Sequence, residues 1–230
     1  MVMLLRRRGI ESGHPITSGT HSPPSVASAG PANDTPQMNV PSGVMAGDLI
    51  IGVVGREWDA VVTPGPATLT IDGFTYGGVA YLYDEGWTSA TFLFYKYATG
   101  VDSGIYQVHP DDGTGGHILA TAAARITGGP TSGNPFVDGF QQASALSGAT
   151  ATIPSFTPGG DNSLILVAGW ADDGPYTTYP GSPWVNNVNS NLSSGNLLIA
   201  SLRQSSAAAT GNLSYASSDD SMLIAATIRL

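Results

Sequence analysis

Val40-Pro-Ser-Gly-Val-Met-Ala-Gly-Asp-Leu-Ile-Ile-Gly-Val-Val-Gly55 has an echo far along the chain in Pro154-Ser-Phe-Thr-Pro-Gly-Gly-Asp-Asn-Ser-Leu-Ile-Leu-Val-Ala-Gly-Trp170. In each stretch a Pro/Gly turn and an Asp lead into a short apolar run that a Gly ends. A run this short, apolar at consecutive positions and bounded by turn residues, reads as a strand buried on both faces. Two looser echoes keep the same order. Leu93 to Tyr106 is matched by Leu198 to Tyr215, and Ile118 to Thr127 by Met222 to Arg229. The sequence therefore predicts a duplicated set of strands closing on a shared core, with pseudo-repeats at about 40–128 and 154–230. No reactive group repeats in this way.

Composition points to the same class. Of 230 residues, 41% are hydrophobic and only 11% charged, while Gly at 30 and Pro at 16 make up one residue in five. Many turns, few charges and short apolar runs suit sandwiches and barrels, not helical bundles. Strand-like runs follow at Thr68–Ile71, Val79–Tyr83, Thr91–Tyr97, Ile105–Val108, Leu164–Ala168, Trp184–Val188, Asn196–Leu202, Leu213–Tyr215 and Met222–Ile228. Ile118–Ile126 is alanine-rich enough for a helix, but its Thr and Ile spacing and its C-terminal echo favour a strand. Gly128–Pro135 is a Gly/Pro loop expected to link the two halves. The predicted fold is all-β: a duplicated, jelly-roll-like β-sandwich over residues 40–230, preceded by an extended N-terminal arm at 1–39. That arm is rich in Ser, Gly, Pro and Thr and carries few large apolar groups, so it is not expected to fold alone.

The net charge of -9 is unevenly spread. Arg6, Arg7 and Arg8 supply three of the eight basic residues, and Lys96 is the only lysine. From Gly9 onward five basic residues face 17 acidic ones. A body this acidic lacks the clustered Lys and Arg that phosphate neutralisation needs, so no nucleic-acid partner is expected. The chain has no cysteine, which excludes disulfides and thiol chemistry and points to folding in a reducing cytoplasm. Met1-Val-Met-Leu-Leu5 precedes the arginines, the reverse of a signal peptide's order. No run of about 18 apolar residues exists, and no membrane partner is expected.

Gly47-Asp-Leu-Ile-Ile-Gly-Val53, Lys96-Tyr-Ala-Thr-Gly-Val-Asp102 and Ala124-Arg-Ile-Thr-Gly128 before Asn134-Pro-Phe136 carry a family resemblance, joined by Gly160-Asp-Asn-Ser-Leu-Ile-Leu166 and Ala209-Thr-Gly211. With these residues the chain resembles β-sandwich virion proteins of tailed bacteriophages. The likeness runs from residue 40 onward and consists of turn and core positions. Many tail-protein versions follow the first strand pair with Gly-Trp, where this chain has Gly73-Phe74. The resemblance implies a capsid decoration (cement) protein, a tail component or a fibre module. It also implies other virion proteins, the major capsid protein first, as partners, and a homo-oligomer, with a trimer favoured.

Candidate chemistry is thin. Asp111-Asp112, Asp172-Asp173 and Asp219-Asp220 could offer hard oxygen ligands to calcium. Asp also bonds its own backbone in turns, and that reading is the stronger. His109 and His117 bracket one pair, but zinc needs three or four converging ligands and only His14 and His21 remain. Nucleophile-elbow, phosphate-loop and zincin motifs are absent. Only three glutamates occur (Glu11, Glu57, Glu85), which leaves little for a glycosidase carboxylate pair. Neither an enzyme nor a cofactor or metal site is expected. Trp58, Trp87, Trp170 and Trp184 with Tyr176 and Tyr179 could stack on sugars, and Tyr176 to Trp184 is the best such loop. Packing at sandwich ends or between subunits is the stronger reading of these rings.

The expectation is thus a non-enzymatic structural protein of a phage particle, assembled in the host cytoplasm and located in the virion. In its leading form it decorates the capsid, with Arg6, Arg7 and Arg8 meeting an acidic shell surface. In its alternative form it is a tail-fibre or receptor-binding module that uses Tyr176, Tyr179 and Trp184 against host glycan. A secreted carbohydrate-active enzyme is a third and weaker option.

Overall fold

Two apolar runs that repeat along a chain should each occupy the middle of a sheet, and this is where they lie. A computed structural model describes residues 23–100, 102–110, 118–146, 148–172, 176–177, 180–193 and 195–229. Among the described residues there is no helix, and every strand pairing is antiparallel.

The first half comprises β1 (Ser25–Ala29), β2 (Gln37–Asn39), β3 (Leu49–Trp58), β4 (Leu69–Ile71), β5 (Thr75–Asp84), β6 (Trp87–Tyr97), β7 (Ile105–Pro110) and β8 (Ile118–Thr127). They form a large sheet in the order β1-β8-β3-β6-β5 and a small one in the order β2-β7-β4. The second half comprises β9 (Phe136–Ala145), β10 (Thr150–Ile153), β11 (Ser163–Ala171), β12 (Val185–Leu192), β13 (Gly195–Gln204), β14 (Leu213–Ala216) and β15 (Ser221–Ile228). Its large sheet runs β9-β15-β11-β13-β12 and its small one β10-β14. The two orders correspond strand for strand. The only strand without a counterpart is β4, and in its place Thr177 donates its backbone N–H to the Ala216 carbonyl of β14 at 2.9 Å.

β3 is buried at all ten positions, as the unbroken apolar run predicts. Its side chains alternate between two cores. Leu49, Ile51 and Val53 face the other large sheet, where they meet Leu164, Leu166, Ala168 and Trp170 of β11. Ile50, Val54 and Trp58 face outward onto the small sheet, against Met38, Leu69, Ile71, Tyr106 and Val108. β11 does the same, turning Val167 and Ala171 outward onto Ile153, Leu213 and Tyr215. Each half is a sandwich of one large and one small sheet, and the two sandwiches are joined through their large sheets. Thr91 Oγ1 crosses this joint to donate to the Met222 carbonyl at 2.9 Å.

Gly55 and Trp170 interlock the joint. A Cβ on Gly55 would stand 2.1 Å from the Trp170 ring, so only glycine lets the indole lie against the β3 backbone. At the entry to β3, Asp48 Oδ2 accepts from the Met45 N–H and pairs with Arg125 Nε, each at 2.7 Å. At the entry to β11, Asp161 Oδ1 accepts from the Ala207 N–H at 2.7 Å. The repeated Asp thus fixes its own turn in the first half and ties the strand entry to the loop after β13 in the second.

Two boundaries need correction. The sandwich does not begin at Val40: β1 pairs along β8, and β2 places fully buried Met38 in the outer core, so 23–39 is part of the body. The repeats accordingly run from β1 to β8 and from β9 to β15, not from 40 and 154. Residues 1–22, including Arg6, Arg7 and Arg8, lie outside the described residues. The loop at 128–135 does link the halves.

Candidate functional site

The joint between the halves opens at one end into an acidic cleft. Two residues beyond Gly55 on β3 stands Glu57, and two beyond Trp170 comes Asp172, just after β11. Around them lie Asp84, Trp87 and Ser89 from the first half and Asp219 and Asp220 from the second, enclosing about 420 Å³. Among the described residues, no basic one lines it.

Each group is placed by its strand. Ser89 on β6 is the register partner of Glu57, and Asp84 pairs with Trp87 where the β5–β6 hairpin turns. Trp87 is 47% exposed at the rim, whereas Trp58 and Trp170 are fully buried. On the far wall, Asp172 donates its backbone N–H to the Asp220 carbonyl at 3.1 Å. Asp219 Oδ1 accepts the Asp220 N–H at 2.7 Å, and Ser217 Oγ accepts the Asp219 N–H at 3.2 Å. The Asp219-Asp220 pair therefore builds a turn of the kind expected from its sequence.

Glu57 is only 8% exposed. Burial, then the charge of Asp172 and a hydrogen bond to its carboxyl, with smaller contributions from Asp59 and Asp219, push the Glu57 carboxyl up to about 7. The shift couples two carboxyls that come from opposite halves. Among the described residues no group of three His, Asp or Glu is disposed to hold a metal ion.

The residues singled out from sequence are scattered. Tyr176, named as a possible glycan or subunit contact, is 2% exposed, as the packing reading of these rings has it. Its ring packs edge-on to Tyr215 at 6.1 Å, and its hydroxyl lies over Gly169. It closes the outer core in the place where the first half has β4, so a sugar cannot reach it. Trp184 is partly buried against the same cluster and borders a shallow cleft with Arg203 and Thr210. Tyr179, Asp111, Asp112, Asp173, His14, His21 and His117 lie outside the described residues. His109 Nε2 stands 2.9 Å from Asp72 Oδ1 on the open surface. Glu57, Asp84 and Trp87 were not picked out from sequence as a group, although aligning Gly55 with Trp170 carries Glu57 onto Asp172.

Comparison of the chain with protein families, with curated proteins and with solved structures found no match.

Proposed function

We propose that this chain is a non-enzymatic structural protein of a tailed-bacteriophage particle, and that in the particle it decorates the capsid. The observation that carries this reading is how the chain enters its fold. Ser25–Ala29 is held on the edge of a large sheet by pairing with β8, and Gly30 and Asn33 continue the backbone bonds to Ala123 and Thr121. A segment poor in large side chains is thus fixed by main-chain hydrogen bonds, the way an extended arm adds itself to a neighbouring sheet. Ahead of it come Arg6, Arg7 and Arg8, basic charge that would meet an acidic shell surface. Many copies of such a modest contact would secure a shell through multivalency.

The winding of each half supports the same reading. In the first, β1, β8, β3 and β6 lie side by side in one sheet and β2, β7 and β4 in the other. We read this as jelly-roll winding, a plan used by viral shells and by lectins. The fold alone permits both uses, and the arm is what favours decoration. A receptor-binding module is the second reading, and one observation favours it: Tyr81, Tyr83 and Trp87 on the β5–β6 hairpin are exposed rings. Sugar stacking would use these, not Tyr176.

The test is a chain that starts at Pro23, compared with the full chain for particle binding and, by gold labelling, for position on the particle. Unchanged circular dichroism with loss of shell binding is the expected result. Full binding by the shortened chain, or label confined to the tail, overturns the decoration reading.

A further inference from the structure

The joint between the halves is apolar along most of its length and carboxyl-lined at one end. The two carboxyls that meet there come from opposite halves and occupy matching places, each two residues past the Gly55–Trp170 interlock. We propose that Glu57 and Asp172 form a proton-held latch, which closes this end of the joint while they share a proton and loosens it when that proton leaves.

The surroundings make the proton decisive. Facing the pair are Asp59 beyond β3, Asp84 at the end of β5, Trp87 and Ser89 of β6, and Asp219 and Asp220 of the β14–β15 turn. Arg56, the nearest base in sequence, sits in the outer core 4.6 Å over the Trp58 ring and donates to the Thr68 carbonyl at 3.1 Å. Once the shared proton is gone, two adjacent carboxylates from opposite halves repel each other among further acids, in a pocket where water screens them poorly. The apolar joint behind them is unaffected, so the response is a local opening of the β3 and β11 ends.

The sign of the pH dependence follows. The Glu57 carboxyl has an ordinary value of 4.5 and stands near 7 in the folded chain. Between those values the folded state keeps a proton that the unfolded state gives up. The stabilisation is whole below pH 4.5 and is lost as pH rises through 7. The device works around neutrality, where carboxyls rarely respond.

The latch belongs to the free chain and does not depend on the particle reading. The experiment follows thermal unfolding of the full chain, Glu57→Gln and Asp172→Asn between pH 5 and 8.5. It also records hydrogen exchange at 55–58 and 170–172, corrected for intrinsic rate. The wild-type midpoint is expected to fall by roughly 3–8 °C over this range. Either variant should flatten the profile, surpass the wild type above pH 7.5 and abolish the pH-dependent exchange at both strand ends. Parallel profiles in all three chains overturn the proposal. So does full rescue of the wild type at pH 8 by calcium, which would make a cation the bridging species. If Glu57→Gln fails to fold, Asp172→Asn carries the same prediction.

Discussion

The two halves share a strand order but not a way of treating polar groups. In the outer core of the first half, Lys96 Nζ pairs with Asp102 at 2.8 Å, Tyr106 donates to the same carboxylate at 2.9 Å, and Lys96 lies 4.8 Å over the Tyr106 ring. Arg56 is nearly inaccessible, yet it is held by a carbonyl and an indole face. Among the described residues, the first outer core leaves one buried polar atom without a hydrogen-bond partner, Trp58 Nε1, whereas the second leaves the Tyr176 and Tyr215 hydroxyls, the Asn196 amide and Ser221 Oγ. The backbone ladder constrains both halves alike, because each central strand must pair on both sides. The outer layers answer only to local packing, and they have diverged. Buried polar atoms left unpaired cost stability, so the second outer layer is the less optimised of the two.

The comparison can be tested first where the halves touch. Trp170→Ala empties the interlock and is expected to cost about 3–5 kcal/mol, read from the urea midpoint. Gly55→Leu alone should prevent folding, since its first carbon already collides with the indole. Combined with Trp170→Ala it should recover part of the loss by refilling the space from the opposite sheet. Strict additivity in that cycle would mean that the halves do not interlock there. Next in size, Arg56→Met keeps the volume but drops the bond to Thr68, at about 1.5–3 kcal/mol. Smallest is a matched pair of tyrosines. Tyr106→Phe should cost about 1–2 kcal/mol because it removes one of the two bonds that Asp102 accepts, while Tyr176→Phe should be neutral or slightly stabilising. Equal costs for the pair would erase the proposed difference between the layers.

Much of this fold was legible. Leu49–Val54 and Leu164–Ala168 announce central strands because both faces of each are buried, leaving no polar position to confuse the pattern. The edges were not legible. Ser25–Ala29 and Phe136–Ala145 are half-exposed or exposed over most of their length, so most of their residues are small or polar and neither shows an unbroken apolar run. The Tyr176 loop admitted two readings, stacking on sugar and packing, for a different reason. Its Thr, Pro and Gly neighbours suggest a surface, but a large ring beside them can fold back over an open sheet face, and this one does. The site was the least legible part. Glu57 and Asp172 are distant in sequence and sit in no motif, and only the superposition of the repeats brings them together.

The last strand has a consequence for how the molecule is made. β15 lies between β9 and β11, so β9 cannot join the second large sheet until Ser221–Ile228 is available. β8 plays the same part in the first half, which is complete once Thr127 has left the ribosome. From then on a nascent chain carries a finished sandwich whose inner face, with Leu49, Ile51 and Val53, waits uncovered while about a hundred more residues are synthesised at roughly 5–20 per second. A stalled or truncated translation product therefore displays a wide apolar face, a target for chaperones and for aggregation with its like.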